Sequence, residues 1–440
     1  MSLKHWTCKS VAVIGLGYVG LPTAVLFAKA GFKVIGVDIN SKIVKLINTG
    51  ISPINEPGLK ELLKNMLNAK LLFATTDYEY AVKNADAIII CVPTPVDENN
   101  TPILRFLEYA IENISNFLTK NKLIIVGSTV PPGCIHNYVV PLIEQKSGLK
   151  AGVDFWLAYC PERIAPGKTL KEFIENDRII GGYTYESGKM AAQIFRKVVK
   201  GRIHVTDVKT AEVAKVAENT FRDINIAFAN ELALICEKLG VDVMSVIKLA
   251  NTHPRVNIHF PGAGVGGPCI PKDPYLLIHP AERLGFKSRI IKTARMINDM
   301  MPSHIIDLIL YGLNLVDKSI SNAKITVLGT AYKGGVDDPR LSPAKEIISK
   351  LIALNAKIVV FDPHCKETFG AKRKTDIEEA VFKSDCIVVV TDHPEFKKLN
   401  LTRLKQLMND KPLIVDGRRI INPLEAERLG FIYLGVGYIV

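Results

Sequence analysis

Val11-Ala-Val-Ile-Gly15-Leu-Gly17-Tyr18-Val19-Gly20 is the stretch on which the fold turns. A short run of β-branched and small apolar residues stops at a glycine. Two more glycines follow at the GxGxxG spacing, and a helical pattern then continues to about residue 30. Lys33-Val-Ile-Gly-Val-Asp38 reads as the next strand and ends on an acid. Strand, glycine turn, helix, strand and terminal acid together predict a βαβ unit that binds a dinucleotide. GxGxxG alone is weak; its place between a strand and a helix gives it weight. Gly15, Gly17 and Gly20 allow a tight turn and close approach of a pyrophosphate to the helix N-terminus, with Tyr18 and Val19 between them. Asp38 suits the adenosine ribose hydroxyls and repels a 2′-phosphate, so NAD is the expected cofactor rather than NADP.

Further strands are predicted at Ala87-Ile-Ile-Ile-Cys-Val92 and Leu123-Ile-Ile-Val126. Ligands in such sheets bind beyond the carboxyl ends of the strands. Cys91-Val-Pro-Thr94-Pro and Gly127-Ser-Thr129-Val-Pro-Pro-Gly133 should lie there. Thr94 and Thr129 are candidate cofactor contacts, with turn-forming threonines the alternative.

The scheme is written twice. Thr76-Asp77-Tyr-Glu79-Tyr-Ala81-Val82 and Asp86-Ala-Ile-Ile-Ile match Thr375-Asp376-Ile-Glu378-Glu-Ala380-Val381 and Asp385-Cys-Ile-Val-Val at a constant offset. Ile325-Thr-Val-Leu-Gly329 and Lys357-Ile-Val-Val-Phe-Asp362 echo the first two strands. The expected fold is therefore α/β: two Rossmann-like, doubly wound parallel-sheet domains joined by a central helical domain with a long helix. The expected boundaries are 1–205, 206–310 and 311–440. The second copy lacks the glycine fingerprint and carries Lys333, Arg340 and Arg418, the last aligning with Thr129. Cations at strand ends point to a second phosphorylated ligand.

Residues 208–238 read as one helix, roughly 45 Å long at 1.5 Å per residue. Its apolar residues, including Val213, Val216, Phe221 and Ile226, cover too wide an arc for a surface helix. A subunit interface, hence a homodimer, is the favoured reading, and a large intrachain core is the alternative. Lys215, Asn219 and Arg222 share one face of it. Partial burial would lower the lysine pKa and fit it to relay protons, whereas a solvated polar stripe is the bland reading.

Pro261-Gly-Ala-Gly-Val-Gly-Gly-Pro-Cys269-Ile-Pro-Lys-Asp273 carries the chemistry. Four glycines in six residues leave backbone amides bare and the following cysteine accessible. A thiolate so placed is a nucleophile, and Asp273 falls one turn further on if a helix starts there. An inert cysteine in a glycine turn is the competing reading. The other seven cysteines are scattered, with no CxxC and no His/Cys ligand spacing, so neither a disulfide framework nor a metal site is expected.

Composition excludes several classes. Hydrophobic residues are 48% and charged residues 23% of 440, ordinary for a globular chain of two or three domains. No apolar run is long enough to span a bilayer, and the start Met1-Ser-Leu-Lys-His-Trp does not read as a signal peptide. A cytoplasmic protein without a membrane partner is expected. The net charge of +12 suits anionic ligands, yet the lysines are dispersed, so no nucleic-acid partner is expected.

Across nearly its whole length the chain resembles the UDP-glucose/GDP-mannose dehydrogenase family. Beyond the motifs above, the likeness rests on Tyr159-Cys-Pro-Glu162-Arg163-Ile164-Ala-Pro-Gly167, Asn176-Asp-Arg-Ile-Ile-Gly-Gly182, Phe221-Arg222-Asp-Ile-Asn-Ile-Ala-Phe-Ala-Asn-Glu231 and His253-Pro-Arg255-Val-Asn-Ile. The resemblance implies oxidation of a UDP-sugar C6 alcohol to a carboxylate with two NAD, in nucleotide-sugar metabolism and polysaccharide biosynthesis. Cys269 would be the nucleophile and Lys215 the proton carrier. Asn219 and Asp273 would assist, with Thr129 and Glu162 near the hydrolytic water. Arg163, Ile164, Lys215, Asn219, Arg222, His253, Arg255, Gly266, Tyr332, Lys333 and Arg418 resemble substrate positions. Tyr18, Val19, Asp38, Thr94, Thr129 and Arg340 resemble cofactor positions. The likeness also gives Arg255 a role in a neighbouring subunit's site. Arg163 and Pro166 depart from the UDP-glucose type and favour an N-acetylated sugar, UDP-N-acetyl-D-mannosamine first. A two-electron β-hydroxyacid dehydrogenase and a non-catalytic NAD-sensing module are the rival readings.

Overall fold

The structure, a computed structural model, describes residues 6–438; the reading of the N-terminus as no signal peptide rests on residues that lie largely outside them. The chain divides into two compact units. One comprises residues 1–218 and 275–286, the other 219–274 and 287–440, so residues of the expected central segment fall in both.

The first unit holds an eight-stranded sheet. Its strands are β1 (Ser10–Ile14), β2 (Lys33–Val37), β3 (Leu72–Thr75), β4 (Ala87–Ile90), β5 (Leu123–Val126), β6 (Trp156–Tyr159), β7 (Arg178–Gly182) and β8 (Ile203–Asp207). They run in the order β3-β2-β1-β4-β5-β6-β7-β8. All neighbours are parallel except β6 and β7. Side chains alternate between two cores, as a doubly covered sheet requires. Val11 and Val13 enter one cluster with Phe27, while Ala12 and Ile14 enter the other with Ile88 and Ile90. Strands β6 to β8 were not legible as strands; β8 reads Ile-His-Val-Thr-Asp, without a continuous apolar run.

The second unit repeats the first six strands in miniature. Strands β9 (Lys324–Leu328), β10 (Lys357–Phe361), β11 (Lys372–Arg373), β12 (Cys386–Val389), β13 (Leu413–Asp416) and β14 (Ile432–Gly435) are ordered β11-β10-β9-β12-β13-β14, all parallel. The duplication extends to hydrogen bonds. Gly15 leaves β1 at φ +87° and Gly329 leaves β9 at φ +93°, a backbone region that favours glycine. Asp38 Oδ2 accepts from Leu16 N at 2.9 Å, and Asp362 Oδ2 accepts from Thr330 N at 2.7 Å. The strand register corrects one alignment. With Leu123 opposite Ala87 and Leu413 opposite Cys386, Arg418 corresponds to Ser128, and Arg419 to Thr129.

The long helix runs Val208–Leu239, with Glu218 and Asn219 marking the change of unit. Its faces reverse the usual partition. Glu212, Lys215, Asn219, Thr220, Asp223 and Asn230 are buried, whereas Val213, Phe221, Phe228 and Ile235 are exposed. The stripe of Lys215 and Asn219 is thus no solvated face. Among the described residues, no helix is long and apolar enough to cross a membrane.

Candidate functional site

In the first unit, each fingerprint glycine has its own reason. A Cβ on Gly15 would lie 2.7 Å from Cys91 O, and one on Gly20 would lie 1.7 Å from Gly15 O. Gly17 faces open space, with nothing within 4 Å. Gly15 and Gly20 close the turn, and Gly17 leaves the approach to the helix unobstructed. The helix Gly20–Lys29 has no side-chain cap at Val19 and no acid in its first turn, so its N-terminal amides suit an anion. Tyr18 is partly exposed beside them. Asp38 is oriented by two amides, Leu16 N and Asn40 N, both at 2.9 Å. These residues fit the pyrophosphate and ribose of NAD.

The two proline-bearing loops are tied together at the strand ends. Thr94 Oγ1 donates to Thr129 O at 2.5 Å, and Ser128 Oγ donates to Val92 O at 2.6 Å. Thr94 is therefore a loop fastener, its proton committed to the other loop.

Glu162 follows β6 and is held by a residue the sequence reading missed. Arg178 is fully buried, with its Nη1 2.7 Å from Glu162 Oε1 and its guanidinium 4.0 Å from the Phe173 ring centroid. Arg163 also has definite partners. Its Nη2 lies 2.7 Å from Glu218 Oε1, its Nε donates to Glu218 Oε2 at 3.2 Å, and its Nη1 donates to Asp177 O at 2.8 Å. Two donors thus fasten the Glu162 loop to the long helix at Glu218, and the third fastens it to the Asp177 carbonyl just before β7. Ile164 packs against the core of this unit. Lys215 is buried on the same helix, one turn beyond Glu212.

In the second unit, Cys269 O accepts from Asp273 N at 2.9 Å, and a helix, Asp273–Arg283, does begin at that aspartate. Asp273 is fully buried; its Oδ2 accepts from Asn219 Nδ2 at 2.5 Å and its Oδ1 lies 3.1 Å from Lys272 Nζ. Asn219 Oδ1 in turn accepts from Arg222 Nη2. Arg222, Asn219, Asp273 and Lys272 therefore form one polar chain beside the cysteine turn. Cys269 is the exposed member of the eight cysteines. Burial pushes the thiols of Cys8, Cys91, Cys134 and Cys160 up to about 12, and those of Cys236, Cys365 and Cys386 upward as well. Cys269 is thus the cysteine whose thiol lies open to solvent.

The glycine loop has a packing role beyond accessibility. A Cβ on Gly267 (φ +92°) would lie 2.7 Å from the Tyr332 ring, and one on Gly266 would lie 2.5 Å from Leu341 O. A Cβ on Gly262 would collide with Arg418 Nη1 at 2.7 Å. Tyr332, Lys333 and Arg418 thus sit on loops that converge on the glycine segment. Arg340 lies in this unit, paired with Asp338 at 2.6 Å, and its backbone carbonyl accepts from Gly267 N. His253 and Arg255 are exposed neighbours, Arg255 N donating to His253 Nδ1 at 3.3 Å. His364, His393 and Glu395 bring ligand-type atoms within 4.8 Å of one another. Both nitrogens of His393 are already engaged, with Gly335 N and Asp362 Oδ2, which does not fit a metal ligand.

Two Rossmann-type units, one with a dinucleotide cradle and the other with basic loops around an exposed thiol, define a nicotinamide-nucleotide dehydrogenase that handles a second nucleotide. Comparison with known proteins makes this specific. Residues 9–199 match the NAD binding domain of the UDP-glucose/GDP-mannose dehydrogenase family, 209–300 its central domain and 326–423 its UDP binding domain. The chain belongs to that family and is an NAD-dependent UDP-sugar dehydrogenase. It is 44% identical over 428 residues to a UDP-N-acetyl-D-mannosamine dehydrogenase of Pyrococcus horikoshii, covering 97% of this chain and 99% of that one. A solved UDP-D-ManNAc dehydrogenase structure from Pyrococcus horikoshii matches with TM-score 0.91 at 43% identity, over 97% and 99% of the two chains. A UDP-glucose dehydrogenase structure from Pyrobaculum islandicum matches with TM-score 0.89 at 29% identity, over 100% of both chains. The fold is thus shared by enzymes named for different sugars.

Proposed function

We propose that this protein oxidises the C6 alcohol of UDP-N-acetyl-D-mannosamine to the uronic acid in two successive two-electron steps. The observation that carries the mechanism is the single exposed thiol, Cys269, one turn before the buried Asp273. Each molecule of NAD supplies a two-electron acceptor for one of the two oxidations. In the first, Lys215 takes the C6 hydroxyl proton as the alcohol becomes an aldehyde. The Cys269 sulfur then adds to the aldehyde carbon, giving a thiohemiacetal whose oxygen Lys215 and Asn219 steady. Loss of a hydride from that carbon, and of the hydroxyl proton to Lys215, leaves a thioester. Water held near Thr129 and Glu162 attacks it; the C–S bond breaks and the thiolate returns. Asp273, held by Asn219 and Lys272, orients the polar chain.

The acetamido preference is read from Arg222, whose guanidinium can donate to an acetamido carbonyl. Tyr332, Lys333 and Arg418 are assigned to the uridine diphosphate; Arg163, Ile164, His253, Arg255 and Gly266 complete the proposed substrate set, and Arg340 and Thr94 the cofactor set. The functional division is kept as 1–205, 206–310 and 311–440. A homodimer is also inferred: Phe221, Phe228 and Ile235 recur every seven residues on the long helix and are exposed. The scattered cysteine pattern, with no CxxC and no disulfide-type spacing, supports a cytosolic setting, where the product would feed polysaccharide synthesis. The test is NADH production across a panel of UDP-sugars. UDP-N-acetylmannosamine should be turned over best, UDP-N-acetylglucosamine next and UDP-glucose poorly, and Arg222→Leu should harm the N-acetylated substrates most. UDP-glucose as the best substrate would remove the assignment of the sugar.

A further inference from the structure

The two halves treat the same carboxylate differently. In the first, Asp38 is oriented by two amides and stands at the mouth of the cradle. In the second its counterpart, Asp362, is buried and its Oδ2 accepts from Nε2 of His393 at 3.0 Å. His393 occupies the place in the repeat that Thr94 holds in the first half, beyond the end of β12 instead of β4. Its ring is fully buried, tilted against His364 at 4.9 Å and edge-on to Phe396 at 5.3 Å. The other nitrogen faces the opposite way: Nδ1 accepts from Gly335 N at 3.0 Å.

These two bonds define one tautomer. Asp362 already accepts from four amides, Thr330, Ala331, His364 and Cys365, so as a carboxylate it takes the Nε2 proton. Nδ1 is then the lone-pair nitrogen that receives Gly335 N–H. Gly335 ends the Tyr332-Lys333-Gly334-Gly335 turn. The adjacent residue works on the same turn: Asp392 Oδ1 accepts from Gly334 N and from Arg418 Nη2, both at 3.1 Å.

We propose that His393, held in its Nε2–H tautomer by Asp362, is a positioning residue that fixes the Tyr332–Gly335 turn in the geometry that receives uridine diphosphate. This rests on the assignment of Tyr332 and Lys333 to the nucleotide, not on the identity of the sugar. The same contact closes the second half to a dinucleotide, because the acid that would meet a ribose is capped by an imidazole.

The experiment separates the two nitrogens. His393→Asn places an acceptor oxygen near the Nδ1 position, His393→Gln places a polar group near Nε2, and His393→Leu supplies neither. Binding of UDP itself is measured by calorimetry, and KM for NAD in the presence of the preferred UDP-sugar. The expected result is a Kd for UDP raised about tenfold or more in His393→Leu and His393→Gln, the loss of one buried hydrogen bond in the turn. His393→Asn should stay within about threefold of wild type by the same reckoning, and KM for NAD should not move. On the wild-type protein, 15N shifts of His393 should report a protonated Nε2, and the Gly335 amide should be protected from exchange. That measurement decides the matter if the variants do not fold. UDP affinity unchanged in all three variants, Asn as damaging as Leu, or an unprotected Gly335 amide would each overturn the proposal. Because UDP is the probe, a failure of the sugar assignment would leave this result readable.

Discussion

Removing the charge of Arg178 is the sharpest test of how the Glu162 loop is held. Arg178→Met keeps most of the buried volume but leaves the Glu162 carboxylate without its cation 2.7 Å away. Breaking a buried ion pair from one side costs about 3–5 kcal/mol. Loss of the guanidinium above Phe173, at 4.0 Å, adds on the order of 1 kcal/mol. Glu162 keeps one amide, Arg163 N at 2.9 Å, and a little solvent, so the low end of that range, about 3 kcal/mol, is expected. At roughly 2–4 °C per kcal/mol for a unit of this size, thermal unfolding should fall by about 10 °C. Calorimetry on wild type, Arg178→Met, Glu162→Gln and the double variant closes a thermodynamic cycle. The double variant should recover most of the loss, since no buried charge then remains unpaired. A single variant melting within about 2 °C of wild type would refute the reasoning, as would a double variant no better than the single.

Three further outcomes are expected. Under native conditions iodoacetamide should modify Cys269 first, and Cys269→Ala should bind NAD yet form no acid; mass spectrometry and a binding titration check both. Asp38→Ala should narrow the preference for NAD over NADP, read as the ratio of kcat/KM values. Burial pushes the Glu212 carboxyl up to about 7 despite the amides of Ile135 and Gly133. An acid whose folded pKa lies above its unfolded value gives stability that falls as pH rises from about 4.5 through 7, here by roughly 3 kcal/mol. Urea unfolding of wild type against Glu212→Gln between pH 5 and 8 should show that slope in the wild type and its absence in the variant.

Local pattern carried much of the fold. Val11 to Gly20 reads as strand, turn and helix because apolar period, glycine and helix former sit side by side, and Gly15 and Gly20 meet the steric demands expected of them. Asp273 opens a helix one turn after Cys269, the condition under which the spacing brings the two residues together. What escaped the sequence depends on partners far along the chain. Arg178 looks like one more basic residue until Phe173, Phe195 and Glu162 surround it. The pairing of Arg163 with Glu218 was likewise hidden, because the two residues are remote in sequence. The burial of the polar face of the long helix and the exposure of Phe221 and Phe228 follow from tertiary packing that no periodicity encodes. The Arg418 alignment slipped by one because no motif marks the end of β13, and only the strand register settles it.

The central claim is a four-electron oxidation routed through Cys269. It is tested most directly by counting NADH against UDP-N-acetylmannosamine consumed, with the product identified by mass spectrometry. The account predicts two NADH for each sugar nucleotide and a carboxylate as the sole product. One NADH for each sugar, with an aldehyde or ketone released, would contradict it.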